Sequence, residues 1–210
     1  MTDGAAALRE LGAIVLAAGF SRRLPGENKL LRELGGRPLL AHTMDTVSSL
    51  GLAQVIAVAS GASDAISSML PHSAELIVNP EAANGMGSSI ARGAQALAPS
   101  LRGVFITLGD MPFVEARDYR KLADAFTDAP ETAICVPLHQ GRRGHPVLFG
   151  RAHFNDLTSL TGDQGARSLL TSPETALIEI DDCSAGCLMD LDDREAFEEA
   201  ERTLAAKRLI

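Results

Sequence analysis

A loop with several cations follows the first apolar run of the chain. The run Ala13–Ala18 leads into a segment that begins at Gly19 and carries Ser21, Arg22 and Lys29. Glycine lets backbone N–H groups face a ligand and the cations attract negative charge, so the segment suits a compact polyanion such as a triphosphate. It has neither the Gly-Lys-Ser/Thr ending of a P-loop nor a G-x-G-x-x-G pattern. We expect Arg22 and Lys29 to face solvent in the free protein; the alternative is a basic surface loop without a ligand.

An acidic residue follows a second apolar run. Asp110 comes after Val104–Leu108, with one glycine between them. The carboxyl ends of parallel strands meet at one edge of a sheet, so Asp110 is expected to lie near Gly19. A carboxylate there suits Mg²⁺, which takes oxygen ligands and joins one or two carboxylates to substrate phosphates. The alternative is that Asp110 only caps the turn before Pro112.

Small and hydroxyl residues open a predicted helix in the middle of the chain. Gly85, Ser88 and Ser89 precede a segment of helical period that runs to Ala98. Glycine permits close approach to the backbone, and the serine hydroxyls lie beside the positive end of a helix. This arrangement suits a ligand, although an ordinary serine N-cap explains part of it.

Composition limits the classes of function. The chain has 210 residues and a net charge of −8, which disfavours nucleic acid as a partner because phosphate-backbone binders are usually basic. No basic and then apolar leader opens the sequence, and no run approaches the roughly 20 apolar residues of a membrane helix, so we expect a cytoplasmic protein without membrane association. Its three cysteines are expected to be reduced thiols.

Short apolar runs alternate with segments of helical period, which predicts one α/β domain over residues 1–210, with its core at about 13–199. The expected fold is doubly wound, a mostly parallel sheet with helices on both faces. Strands are predicted at Ala13–Ala18, Gln54–Ala59, Glu75–Val78, Val104–Leu108, Ala133–Val136, His145–Phe149 (pairing locally), Leu177–Ile180 and Leu188–Leu191. Helices are predicted at Pro38–Leu50, Ser63–Leu70, Ser88–Ala98, Glu115–Phe126, Arg151–Leu157, Gly165–Leu170 and Asp193–Lys207.

Five segments, in this order, resemble the molybdenum cofactor cytidylyltransferases, a branch of the Rossmann-like nucleotidyltransferases. They are the L-A-A-G-x-S-x-R loop at Leu16, the segments Gly85–Ile90 and Gly109–Pro112, and the later segments Gly144–Phe149 and Gly162–Arg167. The chain departs from the family where Gly87 replaces a serine, and where Asp193 and Arg194 replace threonine and proline. The resemblance implies a nucleotide-diphospho-sugar transferase-like fold.

The resemblance also implies roles for individual residues. Arg22, Lys29 and Asp110 would be catalytic. Asp110 and Asp192 would bind the metal ion, with Asp190 as the second choice for the latter. His145 and Arg167 would bind the acceptor. The nucleotide would be bound by Leu16, Ala17, Ala18, Gly19, Ser21, Arg22, Lys29, Gly85, Ser88, Ser89 and Asp110.

The reaction that the resemblance implies is Mg²⁺-dependent (or Mn²⁺-dependent) transfer of CMP from CTP to the phosphate of molybdenum-carrying molybdopterin. A molybdoenzyme or its chaperone would be the protein partner. Three alternatives stay open: another NTP or phosphorylated acceptor, as in the guanylyl branch or with a sugar phosphate; a non-catalytic cofactor chaperone; and an oxidoreductase. A dinucleotide-binding oxidoreductase would have a G-x-G-x-x-G pattern followed by an acidic residue that binds the ribose, and the sequence does not have this pattern.

Overall fold

The computed structural model describes residues 7–18, 28–61 and 64–207. Its strands are β1 (Leu11–Ala17), β2 (Glu33–Leu34), β3 (Arg37–Pro38), β4 (Gln54–Ala59), β5 (Ala74–Val78), β6 (Gly103–Leu108), β7 (Ala133–His139), β8 (Arg142–Arg143), β9 (Val147–Gly150) and β10 (Ala176–Ile180). Its α-helices are α1 (Leu39–Ser48), α2 (Asp64–Ser67), α3 (Met86–Ala94), α4 (Ala116–Phe126), α5 (Phe154–Thr158) and α6 (Arg194–Lys207).

The main sheet has the strand order β10-β7-β9-β6-β1-β4-β5, with β8 added to β7. Strand β1 pairs in parallel with β4 on one side and with β6 on the other. Strands β4 and β5 are therefore added on one side of β1, and the next strand of the sheet, β6, is added on the other side of β1. Such a reversal of strand order leaves a crevice at the carboxyl ends of β1 and β6, where ligands bind in open α/β sheets.

Two apolar cores cover the two faces of the sheet. All seven residues of β1 are buried, which explains why its sequence is a continuous apolar run and does not alternate with polar residues. Ala13 and Val15 point into one core, which α1, α4 and α6 complete, whereas Ile14 and Leu16 point into the other, which α3 and α5 complete. The prediction of a doubly wound, mostly parallel sheet with helices on both faces is confirmed.

Two predicted strands differ in the structure. Leu188–Leu191 is not a strand: a 3₁₀ turn covers Ala185–Leu188, the Met189 N–H donates back to the Gly186 carbonyl at 3.2 Å, and the Leu191 N–H donates to the Asp110 carbonyl at 3.1 Å. The strand predicted at His145–Phe149 does pair locally, with the nearby β7, but it also pairs with the more distant β6. As β9 it lies between β6 and β7 and is antiparallel to both, so it fills a central position of the sheet.

Several predicted helices are shorter in the structure. The segment Ser63–Leu70 yields only the single turn α2, and the segment Gly165–Leu170 becomes a 3₁₀ turn at Arg167–Thr171. Pro38 lies in β3 and immediately precedes α1, so it is the residue before the first helical position.

The three cysteines, Cys135, Cys183 and Cys187, are buried and carry free thiols, as expected for reduced residues. None of the helices in the described part of the chain combines the length and apolar character needed to cross a bilayer.

Candidate active site

A cavity of about 280 Å³ opens at the carboxyl ends of β1 and β6. The Gly109 N–H donates to the Leu16 carbonyl at 3.0 Å, which continues the β1–β6 ladder by one residue and brings Asp110 beside the end of β1. Ala18 and Lys29 line the same cavity. Asp110 therefore lies at the same edge of the sheet as Ala18 and Lys29, whereas Gly19, beside which it was predicted to lie, is outside the described residues.

Lys29 is held between two carboxylates. Its Nζ donates to Asp110 Oδ2 and, at 2.5 Å, to Asp192 Oδ1. Burial alone lowers the pKa of Lys29, but the nearby Asp110 and Asp192 more than offset this, so its pKa is raised and the side chain stays charged at neutral pH. The prediction that Lys29 faces solvent is wrong: the residue is 8% exposed. Its 3₁₀ turn, Lys29–Leu31, is fixed by the Asn28 side chain, which accepts from the Leu30 N–H at 3.1 Å.

The carboxylate pair Asp190 and Asp192 reaches the cavity from the far end of the chain. Both residues line it, and the Leu191 N–H donates to the Asp110 carbonyl, which ties this segment to the end of β6. Partial desolvation and the neighbouring Asp192 carboxylate raise the pKa of Asp190. Asp110 and Asp192 thus both pair with the Lys29 ammonium, and Asp190 lines the same cavity beside Asp192.

The opening turn of α3 forms the opposite wall of the first cavity. Gly85 has a φ of +106°, and a Cβ built there would lie 2.4 Å from the backbone carbon of Gly162, so only glycine fits. The Gly87 N–H donates to the Gly162 carbonyl at 2.8 Å. The start of α3 and the loop around Gly162, two of the segments singled out in the sequence, are therefore packed directly against each other.

A second cavity of about 640 Å³ adjoins the first, and Met86 and Asp163 line both. Its walls are largely apolar, with Ile90, Ile106, Val136, Val147, Phe149 and Leu170 among the lining residues. His145, Arg167 and Arg143 also line it, so the two residues predicted to bind the acceptor lie in one cavity.

His145 is fixed with one ring nitrogen unused. Its backbone N–H donates to the Cys187 carbonyl at 2.9 Å, and its ring Nδ1 is buried without a hydrogen-bond partner among the described residues. Burial lowers the pKa of His145, which the Ile106 carbonyl and the Asp110 carboxylate only partly oppose. The imidazole is therefore neutral at pH 7.

Two residues predicted to bind the nucleotide point elsewhere. The side chain of Ala17 lies in the core with α1, because alternate residues of β1 face opposite sides of the sheet. The Ser88 hydroxyl lies within hydrogen-bond distance of the carbonyls of Gly85 (2.8 Å) and Glu81 (3.0 Å) and donates its one proton to either of them. Ser88 lines a separate polar groove on the outer side of α3. Leu16, Ala18, Gly85 and Ser89 do line the first cavity. The predicted residues Gly19, Ser21 and Arg22 lie outside the described part of the chain.

Met86 and Asp163 were missed as individual candidates in the sequence, although both lie within segments that it singled out. Met86 is 41% exposed, which is unusual for a large apolar side chain at the mouth of two cavities. Their position between the cavities depends on the packing of α3 against the loop at Gly162, which local sequence patterns do not encode.

Comparison with known proteins identifies the family. A family model described as a MobA-like NTP transferase domain matches residues 13–177, well over half of the chain. The chain belongs to that family. This MobA-like domain is similar to the crystal structure of Rv0371c from Mycobacterium tuberculosis H37Rv, with a TM-score of 0.77 and 27% identity over 93% of this chain and 99% of the other. A structure of Rv0371c complexed with manganese matches with a TM-score of 0.75 and 25% identity, over 92% and 99% of the two chains.

Two further similar proteins match this chain in different ways, one over part of its own length and one in its fold. The bifunctional protein GlmU from Sphingopyxis alaskensis is 34% identical over 140 residues, which are 63% of the MobA-like chain and 31% of GlmU, so the chain spans about a third of that relative. Molybdopterin-guanine dinucleotide biosynthesis protein A from Archaeoglobus fulgidus shares the fold, with a TM-score of 0.64 and 16% identity over 93% and 99% of the two chains.

The first cavity has donors suited to a divalent metal ion. Asp110 and Asp192 present carboxylate oxygens to a common cation, Lys29 Nζ, and hard oxygen donors are the ligands that Mg²⁺ and Mn²⁺ prefer. Among the described residues, no group of three or more His, Cys, Asp or Glu side chains is arranged to hold a metal ion by itself. Two carboxylates are sufficient when substrate phosphates and water supply the other ligands, so the residues present fit Mg²⁺ bound together with a nucleotide.

Proposed function

We propose that this MobA-like protein is a nucleotidyltransferase that moves CMP from CTP to the phosphate of molybdenum-carrying molybdopterin. The products would be molybdopterin cytosine dinucleotide and pyrophosphate. The observation that carries the proposal is the pair of adjoining cavities: a polar one with Lys29 and Asp110, and a larger, mostly apolar one with His145 and Arg167. A transfer between two bound substrates needs such neighbouring sites.

The protein residues would act mainly by position and charge. The acceptor phosphate attacks the α-phosphorus of CTP, and the bond to pyrophosphate breaks, so negative charge grows on the leaving group. The Lys29 ammonium and, from outside the described residues, Arg22 or its neighbour Arg23, which holds the arginine position of the L-A-A-G-x-S-x-R pattern, would stabilise that charge. No general base is required, because a phosphate monoester is already ionised at neutral pH.

Asp110 and Asp192 would hold the Mg²⁺ ion, which when bound would neutralise phosphate charge. Lys29 would then leave one or both carboxylates for the triphosphate. The neighbouring manganese complex of Rv0371c supports a divalent metal in this family.

The chemistry of the second cavity supports a partly apolar acceptor. Planar heterocycles bury apolar faces and keep polar edges for a few directed contacts, which matches apolar walls with His145, Arg167 and Asp163 among them. The shared fold with the Archaeoglobus protein supports a molybdopterin-type acceptor. The second candidate is the same transfer to a sugar phosphate. A sugar phosphate offers little apolar surface to these walls.

The deciding experiment measures pyrophosphate release from each of the four NTPs with Mg²⁺, adding molybdopterin, a hexosamine phosphate or no acceptor. We expect release with CTP and molybdopterin only. Release with the sugar phosphate alone would establish the second candidate. Tight binding of molybdopterin cytosine dinucleotide, without release under any condition, would identify a chaperone.

The choice of nucleotide gives a separate prediction. Ala18 lines the first cavity with a methyl group. The family resemblance implies that the guanylyl branch has glycine at this position, so the methyl group would disfavour a purine by size. A site whose polar groups pair with cytosine leaves some of them unpaired with another base. We expect kcat/KM for CTP to exceed that for UTP and GTP at least about tenfold, or about 1.4 kcal/mol. Ala18→Gly should reduce the ratio of kcat/KM for CTP to that for GTP. A wild-type protein that prefers GTP would overturn the cytidylyl assignment.

The role of Asp110 predicts metal dependence. Chelation by EDTA should abolish transfer, and added Mg²⁺ or Mn²⁺ should restore it. Asp110→Asn keeps the side-chain shape but removes the charge, so we expect Mg²⁺-dependent CTP binding at least about tenfold weaker by calorimetry. Asp45→Asn is the matched control, because Asp45 lies on the surface and pairs with Arg37. Normal binding and turnover of Mg-CTP by Asp110→Asn would reduce Asp110 to a turn residue.

A further inference from the structure

Asn79 connects the end of β5 to the first turn of α3 through its side chain. The residue is 3% exposed, and its backbone N–H donates to the Ala59 carbonyl at 2.7 Å, which extends the pairing of β5 with β4. Its Oδ1 accepts from the Glu81 N–H at 3.0 Å, and its Nδ2 donates to the hydroxyl oxygens of Ser88 and Ser89, each at 3.0 Å. The side-chain amide therefore has a partner for its oxygen and for both of its N–H groups.

These partners fix the orientation of the amide. A backbone N–H can only donate, so the atom that faces Glu81 must be the carbonyl oxygen. The amino group must then face the two serines. Turning the amide over would place two donors against each other at Glu81, and burial makes that arrangement costly.

The two serine hydroxyls that accept from Asn79 use their protons differently. A hydroxyl has one proton to donate and two lone pairs to accept with. Ser88 gives its proton to the Gly85 or Glu81 carbonyl. Ser89 is 4% exposed and lines the first cavity, and its recorded partner among the described residues is the Asn79 amino group. With its oxygen committed as an acceptor, Ser89 keeps a proton for a group inside the cavity.

We infer that Asn79 is a positioning residue that sets the Ser89 hydroxyl as a hydrogen-bond donor into the first cavity, and that the bound nucleotide presents an acceptor atom to it. The inference rests on the proposed nucleotide site in that cavity. On a cytosine base, the acceptor atoms are the ring nitrogen N3 and the carbonyl O2, whereas the exocyclic amino group is a donor and must meet a different group. A donor that meets N3 distinguishes cytosine from uracil, whose N3 carries a proton, and in that case Asn79 contributes to base choice without touching the nucleotide.

The test is a double-mutant cycle on CTP affinity, measured by calorimetry with Mg²⁺ and without acceptor. Ser89→Ala is expected to weaken CTP binding about tenfold, because the donor is gone. Asn79→Asp keeps the shape and the bond from Glu81, but its second oxygen takes the Ser89 proton and turns it away from the cavity. The added charge repels the triphosphate equally in both Ser89 backgrounds, so it cancels in the cycle.

The expected signature is non-additivity. Asn79→Asp should weaken binding at least about fivefold more in the wild-type background than in the Ser89→Ala background, and Asn79→Ala should behave in the same way. Ser88→Ala is the matched control: the adjacent serine also accepts from Asn79, yet it lies outside the cavity, so CTP affinity should stay within about twofold. Melting temperatures of all variants separate loss of affinity from loss of fold.

Equal losses in both backgrounds would show that Asn79 only supports the fold, and an unchanged affinity in Ser89→Ala would show that the hydroxyl does not meet the nucleotide. Either result overturns the inference while CTP binding by the wild type keeps the proposed function intact. If the wild type binds none of the four NTPs, the proposed function itself fails.

Discussion

Lys29→Ala is expected to lower kcat/KM for nucleotidyl transfer by about 30-fold to 1,000-fold, equivalent to roughly 2–4 kcal/mol of transition-state stabilisation. Lys29 is the only cation among the described residues that line the first cavity. Without it, the carboxylates of Asp110, Asp190 and Asp192 would face the triphosphate with no ammonium between them. Steady-state kinetics with CTP and acceptor measure the effect, and the sequence predicts a similar loss for Arg22→Ala.

The control for Lys29→Ala is Arg37→Ala. This change removes a half-exposed cation of β3 that pairs with Asp45 of α1, and it should change kcat/KM less than twofold. Because Lys29 is buried between carboxylates, we also expect the alanine variant to melt at a lower temperature in EDTA than the wild type. Wild-type turnover by Lys29→Ala would refute the role of this lysine in binding the triphosphate.

The second large effect is expected on folding: Asp118→Ala should lower the free energy of unfolding by about 3–4 kcal/mol. Asp118 is fully buried, and its carboxylate accepts from the Ser184 N–H (2.9 Å), the Ser184 hydroxyl (2.6 Å) and the Glu115 N–H (3.0 Å). Its removal leaves the buried Ser184 N–H and the part-buried Glu115 N–H without this acceptor, at about 1–3 kcal/mol for a buried group left unpaired. Urea denaturation measures the change.

Asp124→Ala is the matched control for Asp118→Ala, because Asp124 lies on the exposed side of the same helix, α4. We expect it to change the free energy of unfolding by less than about 0.5 kcal/mol. A loss below 1 kcal/mol in Asp118→Ala would mean that the segment at Ser184 is held by its apolar contacts alone. The same segment continues to Asp190 and Asp192, so its anchoring also positions the acidic side of the first cavity.

The sequence was sufficient to predict the layered fold and the edge that carries the site. The buried runs around Ile14 and Ile106 are too apolar for surface strands, and a cavity at the end of the first strand follows from the parallel topology. It was not sufficient for contacts between distant segments. Lys29 is 81 residues from Asp110 and 163 from Asp192, and no local period encodes such a pairing.

Local sequence patterns also did not predict the position of β9 within the sheet. Val147–Gly150 is apolar enough to predict a strand, but nothing in those four residues specifies a place between β6 and β7. The role of Asn79 was equally hidden. An Asn-Pro pair after a strand predicts a turn, and only the three-dimensional structure places the side chain against Ser88 and Ser89.

The central position of β9 has a consequence for synthesis of the chain on the ribosome. Strands β6 and β7 emerge first, and each lacks a neighbour on its inner edge until residues 147–150 have been made. During that interval both edges expose unpaired N–H and C=O groups, which can pair out of register or with another nascent chain. The nascent chain is therefore most vulnerable to aggregation while β6 and β7 have emerged from the ribosome and residues 147–150 have not. This stage ends when β9 inserts between β6 and β7.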